Sequence, residues 1–156
     1  MKKAALLLVS LMALAYPATK QYEIVPYRNC ISSAPGAPPY GISQSFINVV
    51  DDSLTKVSVW IGDTFTSEPY KVEVKDSATH VLLAHSQERQ ASQCWAWLDF
   101  PLLRDNPPVR GRTCKVIVTR PTGAAISYAY DPRESTYAYG CLSVGGTAHP
   151  GEDLAV

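Results

Sequence analysis

KVSVWIGD at residues 56–63 and YKVEVK at residues 70–75 alternate apolar and polar side chains with a period of two. A strand puts successive side chains on opposite faces, so Val57, Val59 and Ile61 share one face and Lys56, Ser58 and Trp60 the other. Tyr70, Val72 and Val74 oppose Lys71, Glu73 and Lys75 in the same way, and Gly62-Asp63 makes a turn between the two. The period returns in THVLLAH (79–85), CWAWLDF (94–100), CKVIVT (114–119) and AISYAYD (125–131), then in the shorter STYAYGCL (135–142) and the terminal EDLAV (152–156). Ser86 to Gln93 reads as a loop or short helical turn, and Pro101 to Arg112, with three prolines and Gly111, reverses the chain. Seven or eight short strands divided by turn residues predict an all-β fold: an antiparallel β-sandwich of jelly-roll type, with a barrel as the alternative closure.

Upstream, MKKAALLLVSLMALAYPA (1–18) places Lys2 and Lys3 before an apolar run and then small residues, the pattern of a signal peptide cleaved near Ala15 to Ala18. The apolar run falls short of the roughly 20 residues of a membrane helix. A secreted or cell-surface location follows as the expectation. Residues 19–42 then form an extended arm, because Pro26, Pro35, Pro38 and Pro39 break any helix or inner strand between Tyr22 and Tyr40. The sandwich is expected over 43–156. Fourteen basic residues balance fourteen acidic ones, so the footprint of a nucleic-acid binder is missing.

Cys30, Cys94, Cys114 and Cys141 are even in number and lack C-x-x-C spacing, which predicts disulfides rather than zinc or redox chemistry. Three pairings exist. If 94–100 and 114–119 form a long-looped hairpin, Cys94 and Cys114 share an inward face and bridge, which leaves Cys30 for Cys141.

Catalytic motifs are missing: there is no G-x-S-x-G, no H-E-x-x-H and no phosphate loop, and Gly145-Gly146 is only a turn. His80 and His85 fall on opposite faces of a predicted strand, and His149 sits in a Gly-rich loop. The paired carboxylates Asp51-Asp52 and Glu152-Asp153 point apart, as neighbours in a strand or loop do. A non-enzymatic protein is expected. Acidic turns at Asp51, Asp52, Asp63 or Glu68 suit calcium by ligand type, but no EF-hand-like spacing accompanies them, so no cofactor is assigned.

Aromatic residues are the informative set. Trp95 and Trp97 project from one face about 7 Å apart, and Trp60 lies on the non-core face of another strand. If those strands are neighbours, three indoles form a stacking platform for sugars, with Asp99, Lys56 or Gln93 for hydroxyl groups. The other reading is that the arm or a long loop covers this face. Tyr128, Tyr130, Tyr137 and Tyr139 read as sheet-stabilising pairs.

In their order, SQSFI, LTKVSVWIGD, CWAWLDFPLL, VRGRTCKVIVT, ISYAYD, YAYG and DLAV resemble the jelly-roll modules of secreted bacterial surface proteins and glycosidase-associated carbohydrate-binding modules. Cys114 stands where such modules usually carry Tyr, and Val156 where they carry an aromatic. The resemblance implies a sandwich and a non-catalytic role in glycan binding or cell-surface attachment. An alternative is a self-associating subunit of an extracellular fibre, sheath or envelope layer, in which the arm adds a strand to a neighbouring copy.

Overall fold

A computed structural model describes residues 30–39, 41–49, 54–62, 68–91, 95–106, 110–131, 140–150 and 152–154. Among these the chain is all-β, with strands β1 (Cys30–Ala34), β2 (Ile42–Ile47), β3 (Lys56–Gly62), β4 (Lys71–Asp76), β5 (Leu82–Ser86), β6 (Ala96–Arg104), β7 (Thr113–Thr119), β8 (Ile126–Asp131), β9 (Leu142–Val144), β10 (Thr147–His149) and β11 (Asp153–Leu154). All pairings are antiparallel, in the order β1-β8-β3-β6-β5-β4-β7-β2-β9-β10, with β11 beside β8. The expected signal peptide at 1–18, residues 19–29 of the expected arm, and Cys94, Asp51, Asp52, Asp63, Gln93, Tyr137, Tyr139 and Val156 lie outside the described residues.

Strand β6 joins the two halves of this path. Ala96 to Pro101 pairs with β3, and Leu102 to Arg104 pairs with β5. Pro101, which brings no N–H to a ladder, sits where the partner changes. Val57, Val59, Ile61 and Phe100 from one half meet Val72, Val74, Val116 and Val118 from the other in a single core cluster. The alternation read from the sequence therefore gives the core facing of β3, β4 and β7 correctly.

Several expectations need correction. β6 and β7 do not form a hairpin: β7 lies between β2 and β4, so the premise that brought Cys94 to Cys114 fails. Residues 79–81 precede β5 rather than belong to it, and His80 sits at φ 59° in the turn after β4, so it shares no strand with His85. The chain continues as strand through Arg104 before it reverses. The pairing of β4 with β5 shifts register, so that Leu83 and Ala84, successive residues, both enter the core. Part of the arm is strand as well, since Cys30 to Ala34 pairs with β8 of its own chain.

The cysteine geometry excludes one pairing. Cys114 is buried opposite Phe46, a core residue of β2, whereas Cys141 meets the next residue, Ser45, from the other edge of that strand: its N–H donates to Ser45 Oγ at 2.9 Å. Both are free thiols, against the expectation that Cys114 bridges to Cys94 and Cys141 to Cys30, and burial first, then the nearby Asp76 carboxylate, pushes the Cys114 thiol up to about 11. Two strand spacings, about 9–10 Å, separate their backbones, beyond the reach of roughly 6.8 Å between Cα atoms of a disulfide. Peptide mapping of the non-reduced protein should find no Cys114–Cys141 link. Recovery of that link would contradict the β7-β2-β9 order.

Candidate functional site

The outer face of β3 and β6 carries the residues singled out by sequence, and the register pairs them directly: Lys56 with Pro101, Ser58 with Asp99, and Trp60 with Trp97. Because Val57, Val59, Ile61 and Phe100 point into the core, their neighbours point out. Trp60 and Trp97 meet edge to face, with centroids 5.6 Å apart and planes at 72°. This geometry suits the positive ring edge and negative ring face of an aromatic pair. Trp97 is the open member, with 41% of its surface exposed, and Trp60 is half-buried.

Trp95 behaves differently. Its φ of 54° turns the chain at the entry to β6, and its indole lies over Gly62, where a Cβ would come within 2.8 Å of the ring. Gly62 thus makes room for an indole laid on the strand backbone. The three tryptophans share one region of one face, but Trp95 does not stand as a third ring in line with Trp97. Beneath this end, the Gly62 carbonyl accepts the Tyr70 hydroxyl at 2.8 Å. Arg120, fully buried, donates to the same hydroxyl at 2.5 Å and sets its guanidinium 4.1 Å from the centre of the Tyr70 ring. A charge-assisted hydrogen bond and a cation–π contact thereby tie β4 and the end of β7 to the strand that bears Trp60.

At the other end of the row, Ser58 Oγ donates to Asp99 Oδ1 at 2.6 Å and Lys56 Nζ to Oδ2 at 3.1 Å. These two hydrogen bonds, Ser58 first, hold the Asp99 carboxyl below its ordinary 3.8. Both charged side chains are about half exposed, so the pair adds little to stability. What it does is fix a carboxylate and an ammonium beside an exposed indole. The sequence placed Ser58 on this face without assigning it a role, because only the β3–β6 register reveals that it sits opposite Asp99. An NMR titration should find the Asp99 pKa below 3.8, rising toward that value in Ser58→Ala; an unshifted pKa would mean that the Ser58 bond is absent in solution.

Elsewhere several titratable groups have a polar partner. His85 Nδ1 contacts Asp105 Oδ2 at 2.5 Å, His149 lies 3.6 Å from Glu152, and the Glu68 carboxylate accepts from the Thr122 hydroxyl. Among the described residues no three His, Cys, Asp or Glu side chains converge as metal ligands, and no helix is long and apolar enough to cross a membrane. Tyr128 and Tyr130 pack 5.8 Å apart on β8, Tyr128 within the core and Tyr130 against it. No family model and no curated protein matches the chain.

Proposed function

We propose that this protein is a non-catalytic extracellular recognition module that binds glycan, or attaches to a cell surface, through the outer face of β3 and β6. One observation carries the reading: Trp97 presents an open indole between the edge of Trp60 and the Ser58–Asp99–Lys56 cluster. Carbohydrate recognition needs this combination of a flat apolar surface for the C–H face of a sugar and fixed polar groups for its hydroxyls. The signal peptide supports export.

The proposed architecture is a jelly-roll sandwich whose facing sheets are β1-β8-β3-β6 and β5-β4-β7-β2. The strand order and the single core cluster support it. The alternative, a self-associating fibre or sheath subunit, draws less support, because Cys30 to Ala34 already pairs within its own chain.

Trp97→Ala tests the glycan reading. Retention on polysaccharide should be lost while stability changes by under about 1 kcal/mol, as for an exposed side chain. If the substitution unfolds the protein, or leaves retention on every polysaccharide intact, Trp97 is not the binding surface.

A further inference from the structure

The shape and charge of this face narrow the class of ligand, an inference that rests on the glycan-binding reading. Trp60 and Trp97 are inclined at 72°, so no plane lies flat against both rings, and the Trp95 indole is laid against Gly62. A flat crystalline polymer gains its contact from several coplanar rings, whereas this face offers one open ring with a wall beside it. Asp99 follows Trp97 by two residues on the same side of β6, about 7 Å along the strand. A single sugar ring on Trp97 therefore reaches Asp99 with its hydroxyl edge. Among the described residues of this face, the Lys56 ammonium is already bonded to the Asp99 carboxylate, so the two charges offset each other. A sulfate or uronate would meet that carboxylate directly, because Lys56 is committed to it and Arg89, the other cation felt at Asp99, acts there only through its charge and as the weakest of the influences on that carboxyl. Vicinal hydroxyls instead find an acceptor in Asp99 and a donor in Lys56, whose ammonium has more N–H groups than this bond uses.

We propose that the face binds a neutral, soluble glycan chain or chain end, with one sugar seated on Trp97 and its hydroxyls on Asp99 and Lys56, and that it rejects crystalline polymer surfaces and polyanionic glycans. Lys56 and Asp99 are then specificity-determining residues, which a merely structural role would not require.

Affinity electrophoresis of the full mature chain tests this against three soluble neutral polysaccharides (galactomannan, xyloglucan and mixed-linkage glucan) and two polyanions (polygalacturonate and alginate), with pull-down on microcrystalline cellulose and chitin alongside. At least one neutral gel should retard the protein. The retardation should persist at about 1 M NaCl, where the screening length is only about 3 Å. Asp99→Asn, checked for an unchanged melting temperature, should weaken it about tenfold or more. Retention by the polyanions or the crystalline solids with the neutral gels idle would overturn this inference and leave the glycan-binding reading standing, as would neutral-gel retention unaffected by Asp99→Asn. Retention by none of the seven probes would overturn both.

Discussion

Phe100→Ala should destabilise the protein by about 3–5 kcal/mol, the usual result of emptying a buried aromatic site. Phe100 is fully buried opposite Val57, on β6, which pairs with both halves of the sheet path, and Pro101 follows it where the partner changes. The neighbouring backbone is held by ladders to β3 and β5, so little collapse into the vacated volume is available. Against a typical total stability of about 5–15 kcal/mol, the loss should appear in urea denaturation as a large fall in the midpoint with an unchanged slope. Three residues earlier on the same strand, Trp97 faces the other way and is expected to cost little. A loss under about 1 kcal/mol for Phe100→Ala would mean that the two halves do not share a core at this strand.

What the sequence made legible was facing, because facing depends only on neighbours along the chain. Val57, Val59 and Ile61 against Ser58 and Trp60, or Val72 and Val74 against Glu73, follow from a period of two in any antiparallel fold. Partner choice depends on residues far apart in sequence. Consequently β6 and β7 were expected as a hairpin although each pairs elsewhere, and the cysteine pairing derived from that hairpin lost its basis. Local departures from the period were hidden as well: the extra residue at Leu83, the turn at His80, and the positive φ that lays Trp95 on Gly62. The candidate site was half legible for the same reason. Trp60, Trp97, Asp99 and Lys56 could be put on outer faces, but the ring angle of 72° and the Ser58 bond to Asp99 follow from the β3–β6 register. Three-residue strands such as β9 and β10 carry too few alternations to register as a period, although the Gly145-Gly146 turn between them, with both φ positive, is what a tight hairpin requires.

The arm gives the second large effect. Gly36 approaches Ala124 so closely that a Cβ there would stand 2.2 Å from the Ala124 carbonyl oxygen and 2.9 Å from Ile126 Cγ1. The obstacle is backbone, so no side-chain rotation relieves it. Shifting the arm instead breaks the bonds that dock it, Gly36 N–H to Ala124 O at 3.1 Å and Arg120 N–H to Gly36 O at 2.8 Å, and pulls on the ladder from Cys30–Tyr130 to Ala34–Ile126. Gly36→Ala should therefore destabilise the protein by roughly 3 kcal/mol, the cost of a few hydrogen bonds left unmade at a buried site. Amide exchange should quicken at Ser32 and Ala34, whose N–H groups face β8 in the same phase as Gly36, while Val59 and Leu98 in the β3–β6 ladder stay protected. With β1 displaced, one edge of β8 offers unpaired N–H and C=O groups to another chain, and the variant should associate in a concentration-dependent way that the parent does not. Retention on a neutral polysaccharide should survive in the folded fraction, because Trp97 and Asp99 are held by β3 and not by the arm. A variant with unchanged stability and exchange at Ser32 would show that the arm is not held at Gly36. A parent that assembles while Gly36→Ala remains monomeric would return the arm to the role of a strand donated between copies.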